Sequence, residues 1–88
     1  MTDPTAPPRP AVRVQLLTRP GCQLCGPART AVAEVCERAG QAWTEVNVDA
    51  DPELRTEYGD RVPVVLLDGR EIAALYLDVA DLDAALRG

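Results

Sequence analysis

Two cysteines separated by two residues are the part of this 88-residue sequence whose residue types and spacing point most directly to chemistry. Cys22 and Cys25 stand between an alternating apolar segment and a segment with helical periodicity. A CxxC pair between a strand and a helix is typical of a redox dithiol. At a helix start the two sulfurs would lie on one side about one turn apart, so a disulfide could form and open with little backbone movement.

The expected position at a helix start also predicts a role for each cysteine. Free amide groups and the positive end of the helix dipole favour a thiolate over a thiol. We therefore expect Cys22 to be the nucleophile, and Cys25 to be the resolving thiol that attacks the mixed disulfide between Cys22 and a substrate. Arg19, three residues earlier, could stabilise the thiolate or bind an acidic substrate group, although a lone Arg at a strand end is often only solvated.

The remaining ligand chemistry of the sequence is sparse. Tetrahedral zinc needs about four ligands, whereas the sequence has no His and one further cysteine, Cys36. We therefore predict no metal site and no cofactor within one chain; a metal or iron-sulfur cluster held by Cys22 and Cys25 between two chains is an alternative. Cys36 lies eleven residues beyond Cys25, which is about 16 Å along a helix, and is expected to be a buried core residue.

Composition predicts one domain and restricts its partners. The net charge is −5 and no basic run occurs, which argues against a nucleic-acid partner. No stretch approaches the roughly 20 apolar residues of a membrane helix, and the first residues lack a secretory pattern. Three cysteines are too few for a disulfide scaffold. We therefore expect a monomeric cytoplasmic protein, with a proline-rich disordered arm at residues 1–10 and a domain at residues 11–88.

The elements that would position the dithiol follow from periodicity. Residues 12–18 alternate as a strand, helical spacing then continues from Cys25 to a stop at Gly40, and residues 43–49 alternate again. A strand, a crossover helix and a strand form a right-handed parallel unit.

The second half of the sequence predicts a short helix, a hairpin and a final helix. Asp51 and Pro52 are expected to begin the short helix, and Asp68-Gly69 is a dipeptide favoured in tight hairpins. Asp78, with Asp81 three residues later, is expected to cap the last helix. The apolar face of that helix is Val79, Leu82, Ala85 and Leu86. The predicted order is βαβαββα.

The segments LLTRPGCQLC and DRVPVVLLDGREI resemble the glutaredoxin-like branch of the thioredoxin superfamily, over about residues 12–87. The resemblance implies an α/β thioredoxin-like fold, a four-stranded mixed sheet with flanking helices, and an oxidoreductase that acts on protein or small-molecule disulfides. A reductase or a low-molecular-weight thiol would donate the electrons. The resemblance also implies that Pro63 is cis and faces the dithiol, and that the backbone of Val62 pairs with an extended substrate.

Two departures from the family pattern leave alternatives. Glutaredoxins proper hold glutathione with a Gly-Gly and an acidic residue after the hairpin, where this sequence has AALYLDVADL, so we expect weak glutathione binding. Residues 25–28 resemble a thioredoxin site whose second cysteine is Ala, which would make Cys25 the sole nucleophile. Cys22 is preferred, because the loop before it has the family's length and Pro27 is then tolerated in the first helical turn. A redox-inactive adaptor that binds peptides at Val62-Pro63 is a further alternative.

Overall fold

A four-stranded mixed sheet organises residues 12–87, the part of the chain that this computed structural model describes. Its strand order is β2-β1-β3-β4, with β1 parallel to β2 and the other pairs antiparallel. The elements are β1 (Val14–Thr18), α1 (Cys25–Ala39), β2 (Trp43–Asn47), α2 (Pro52–Tyr58), β3 (Val64–Leu67), β4 (Arg70–Ala74) and α3 (Val79–Arg87). The predicted order and mixed sheet are confirmed. The predicted arm at residues 1–10 lies outside the described residues, and its boundary with the domain stays a prediction.

The two central strands, β1 and β3, are buried on both faces of the sheet. Every residue of β3 is buried, and its successive side chains alternate between two apolar clusters. Val65 and Leu67 belong to the cluster shared with α1 and α3, whereas Val64 and Leu66 belong to the cluster shared with α2. Because side chains alternate along a strand, a continuous apolar run is the pattern expected of a strand covered on both faces. The loop that follows β1 therefore leaves the middle of the sheet.

Helix α1 packs its apolar face onto β1 and α3. Val32, Val35 and Cys36 are fully buried there, in contact with the cluster that contains Leu16 and Leu82. The helix ends as predicted at Gly40, whose φ of 67° allows its N–H to donate to the carbonyls of the last turn. This packing fixes the N-terminus of α1 at the end of the sheet where β1 ends.

Two predicted strand boundaries differ from the structure. β1 begins at Val14 rather than at residue 12, because Val14 pairs with the first residue of β2, Trp43, and with the last residue of the antiparallel β3, Leu67. β2 ends at Asn47 rather than at residue 49. The Asn47 side chain accepts a hydrogen bond from the Asp49 N–H at 2.9 Å, which turns the chain into a short 3-10 helix at Val48–Ala50.

The predicted turn and caps are confirmed. Asp68 and Gly69 both have positive φ, of 52° and 81°, as a two-residue hairpin turn requires. The Asp51 carboxylate accepts from the Glu53 N–H at 2.9 Å and so caps α2, and Asp78 accepts from the Ala80 N–H at 2.9 Å at the start of α3. Within residues 12–87, every helix is too short or too polar to cross a membrane.

Candidate functional site

The cysteine pair lies between the end of β1 and the first turn of α1. Cys22 and Cys25 are at disulfide distance and bonded, with their Cα atoms 5.5 Å apart, within the usual range for a disulfide. Cys22 is partly exposed, whereas Cys25 is buried, with 3% of its surface accessible. A partner that approaches from solvent therefore meets Cys22 first.

The first turn of α1 contains no acidic side chain of its own. Leu24 occupies the N-cap position without a side-chain hydrogen bond. The first helical hydrogen bond runs from the Ala28 N–H to the Leu24 carbonyl at 3.2 Å, so the N–H groups of Cys25 and Gly26 have no helical acceptor. Unpaired amides at a helix start stabilise an anion, here the thiolate that reduction of the disulfide would produce.

A polar cavity of about 380 Å³ borders the dithiol and contains two arginines, both already paired. Arg19, predicted to act on the thiolate or the substrate, lies in this cavity with Cys22. It forms an ion pair with Asp49 at 3.1 Å and donates to the Gly59 carbonyl at 3.2 Å. The nearby carboxylate offsets much of its charge, so any effect of Arg19 on the thiolate is smaller than that of an isolated guanidinium.

The second arginine belongs to a network that the sequence analysis missed. Arg29 donates two hydrogen bonds to Glu45, at 2.6 and 2.8 Å, and the buried Thr18 hydroxyl donates to the same carboxylate at 2.9 Å. The Arg29 hydrogen bonds lower the pKa of Glu45 to about 2, against the opposing effect of desolvation and with a further contribution from Thr18. The network ties α1 to β1 and β2 beside the dithiol. Its one sequence signal is that Arg29 follows Cys25 by four residues, which places both on one helix face.

The predicted substrate-binding pair, Val62 and Pro63, lies at the same end of the sheet. Their peptide bond is cis, as the resemblance implies. Leu17 pairs with Val64 in the β1–β3 register, so Pro63 follows at the level where β1 ends and the chain turns towards Cys22. The backbone of Val62 forms no hydrogen bond with another of the described residues. That Pro63 faces the dithiol and Val62 pairs with substrate stay predictions.

The structure of residues 12–87 also bears on the third cysteine and on metal binding. Cys36 is fully buried in the core, as predicted, and burial raises the pKa of its thiol. No group of three or more Cys, His, Asp or Glu side chains in this range could hold a metal ion.

Comparison with known proteins identifies similar sequences and folds. The family described as "Glutaredoxin-like domain (DUF836)" matches residues 13–87. The uncharacterized protein Rv0508 of Mycobacterium tuberculosis is 45% identical over 64 residues, covering 67% of this chain and 66% of that protein, so the chain spans just under two thirds of the length of this relative.

The X-ray structure of protein XcR50 from X. campestris is 37% identical, with a TM-score of 0.70 over 84% of this chain and 95% of that chain. A mutant thioredoxin from Halobacterium salinarum, 23% identical with a TM-score of 0.60 over 84% and 70% of the two chains, shares the fold alone. The chain thus has the predicted thioredoxin-like fold.

The site geometry predicts different reactivities for the cysteines of the reduced protein. Cys22 should be alkylated with a pKa below the free-thiol value of about 8.5, because unpaired amides stabilise its thiolate. Cys36 should not react until the protein is denatured, because it is fully buried. Iodoacetamide labelling against pH, read residue by residue by mass spectrometry, measures both. Equal labelling rates of Cys22 and Cys36 in the native protein would contradict the assignment.

The Glu45 network predicts a pH-dependent contribution to stability. The folded-state pKa of about 2 lies below the ordinary value of 4.5, so this contribution is complete above pH 4.5 and is lost as the pH falls towards 2. Glu45→Gln should lower the free energy of unfolding at pH 7 by about 1 kcal/mol or less, the range of partly exposed ion pairs, and the loss should vanish near pH 2. Urea unfolding at several pH values tests this. Glu34→Gln, which removes an exposed carboxylate of α1, is the control and should change little; a Glu45→Gln deficit that persisted near pH 2 would refute the network's role.

Proposed function

Because this chain belongs to the glutaredoxin-like domain family, we propose that it is a dithiol thiol-disulfide oxidoreductase with Cys22 as nucleophile and Cys25 as resolving thiol. The observation that carries the proposal is the pair itself: two cysteines at disulfide distance at the start of a helix, one reachable from solvent and the other buried. This arrangement supports reversible exchange, because the exposed Cys22 sulfur can react with a substrate and the buried Cys25 sulfur lies close enough to attack the Cys22 sulfur afterwards.

Exposure and the helix start together support Cys22 as the attacking sulfur. A substrate disulfide can reach Cys22, whereas Cys25 is almost completely covered, with a residual exposure of 3%. The exposure difference also argues against Cys25 as sole nucleophile. The unpaired amides of the first turn favour the ionised form of the attacking thiol, and its thiolate is the species that attacks a disulfide.

The proposed cycle transfers two electrons through sulfur exchange. The Cys22 thiolate attacks one sulfur of the substrate disulfide, forms a mixed disulfide and releases the other substrate sulfur as a thiolate. The Cys25 thiolate then attacks the Cys22 sulfur, which releases the second substrate thiolate and forms the Cys22–Cys25 disulfide. The substrate gains two electrons and two protons, and the dithiol loses two electrons and two protons. A reductase or a low-molecular-weight thiol then donates two electrons to this disulfide and restores the dithiol.

The surroundings of the dithiol support a bound, extended substrate. The backbone N–H and carbonyl of Val62 are without partners among the described residues, so a substrate segment could pair with them as an added strand, beside Pro63. Arg19, which lines the polar cavity, would contact an acidic group of the substrate. The carrier would act as a monomer in the reducing cytoplasm, where a dithiol of this kind can be regenerated.

Trapping of the intermediate tests this assignment. Cys25→Ser should accumulate a mixed disulfide on Cys22, because the resolving attack is removed, whereas Cys22→Ser should lose exchange altogether. Mass spectrometry after incubation with a model disulfide detects the adduct. Cys36→Ala, which removes the third thiol without burying a hydroxyl in the core, is the control variant and should exchange at the wild-type rate. A stable adduct on Cys25 in the Cys22→Ser protein, with exchange retained, would make Cys25 the nucleophile and contradict the proposal.

A further inference from the structure

The large hydrophobic side chains that residues 12–87 leave exposed all lie at one place beside the dithiol. They are Leu24, Leu75 and Tyr76, with 36%, 43% and 76% of their surface accessible. All three line a cavity of about 120 Å³, close in size to the roughly 150 Å³ that accommodates a benzene-sized group. The rest of the lining is Pro27, Ala28 and Leu77, so the cavity contains no charged residue.

The cavity adjoins the cysteine pair on a separate face of α1. Leu24 lies between the two cysteines in sequence and shares a helix face with Ala28, four residues later. Cys25 and Arg29 share another face, which borders the polar cavity. A chain attached to Cys22 would therefore have the polar cavity beside it, and the apolar cavity next to it on the other side of Leu24.

Side-chain burial does not explain the backbone conformation of Leu75. Its φ of 68° lies in the left-handed region, which a bulky residue rarely adopts and glycine adopts freely. Nearly half of the side chain is exposed, so burial gives little compensation for the strained backbone. A strained residue that is neither relaxed nor buried is a candidate for a contact outside the chain.

The backbone N–H groups of Leu75 and Tyr76 both donate hydrogen bonds within the chain. The Leu75 N–H donates to the carbonyls of Pro63 and Arg61, at 2.8 and 3.2 Å, and the Tyr76 N–H donates to the Ala74 carbonyl at 2.8 Å. Neither amide is free to bind a carboxylate. The Leu75 bonds attach the cavity wall to the residues on both sides of Val62, so the wall and the unpaired Val62 backbone are neighbours.

We propose that this apolar cavity is a specificity subsite for an aliphatic or aromatic side chain adjacent to the reacting cysteine of a polypeptide disulfide. The inference depends on the proposed function, because it assigns a substrate class to the same dithiol. Glutathione fits the subsite poorly: it carries charged groups and no apolar side chain, and no charged residue lines the cavity. The substrate class is therefore polypeptide disulfides with apolar neighbours.

A pair of matched peptides tests the subsite. The symmetric disulfides of acetyl-Ser-Leu-Cys-Leu-Ser-amide and acetyl-Ser-Ser-Cys-Ser-Ser-amide differ in apolar neighbours and not in charge. Fully reduced protein is mixed with each, and with glutathione disulfide, and formation of the Cys22–Cys25 bond is followed by acid quenching and mass spectrometry. The leucine peptide should react about tenfold faster than the other two, the lower end of the discrimination that an apolar pocket achieves.

Substitutions of the cavity residues test whether the cavity causes the preference for the leucine peptide. Leu75→Ala and Tyr76→Ala should each reduce the ratio of leucine-peptide to serine-peptide rates towards one; Tyr76 is so exposed that its truncation cannot unfold the core. Leu86→Ala removes the same atoms as Leu75→Ala from α3, near the C-terminal end of α1, and should keep the wild-type ratio.

The possible failures are distinguishable. Equal rates for the two peptides in the wild-type protein would overturn the subsite and leave the oxidoreductase function intact. The same holds for a ratio that both cavity variants retain, or for glutathione disulfide reacting as fast as the leucine peptide. Absence of exchange with every disulfide would overturn the proposed function, and this inference with it.

Discussion

The packing of α1 against the centre of the sheet is the interaction on which the geometry of the dithiol depends. Val32 and Val35 are fully buried between the sheet and α3, and each such side chain contributes about 1.5–3 kcal/mol through removal of apolar surface from water. Because α1 is held along its length, its first turn cannot shift relative to the end of β1. The unpaired amides of that turn, and the two cysteines with them, are therefore in place before any substrate arrives.

The first turn of α1 has two faces with chemically different surroundings, and we infer a different role for each face. On one face, the charges of Arg29 and Glu45 neutralise each other, and their hydrogen bonds connect the helix to two strands. This face holds the site together. On the other face, apolar side chains remain exposed although their neighbours are packed. Exposed apolar surface beside a reactive bond is suited to recognition of a partner.

The sequence predicted the features that local rules determine. A CxxC before a helical repeat, a Gly at the helix end, an Asp-Gly turn and an Asp-Pro helix start each depend on a few neighbouring residues, and each was found where it was expected. The cis Val62–Pro63 bond came from family resemblance, because an X-Pro bond is cis only about one time in twenty.

The features that depend on tertiary contacts were missed. Glu45 meets Arg29 and Thr18 only because the sheet places β2 beside β1 and under α1, and nothing in the residue types near Glu45 signals this. The left-handed Leu75 runs against local preference, since that conformation would predict Gly or Asn. Local preference is overridden there because the Leu75 N–H donates to the carbonyls of Pro63 and Arg61, which fixes the backbone.

A redox titration of the native protein measures whether Cys22 and Cys25 exchange two electrons as a pair. The protein is equilibrated in dithiothreitol buffers of graded oxidation state, quenched with a thiol-specific mass label, and the label on each cysteine is counted. We expect one reversible transition in which Cys22 and Cys25 lose and regain their thiols together, with the two-electron slope of about 30 mV per tenfold change in the ratio of oxidised to reduced dithiothreitol, while Cys36 stays reduced. Independent oxidation of the two cysteines, or no transition between the fully reduced and fully oxidised buffers, would contradict this expectation.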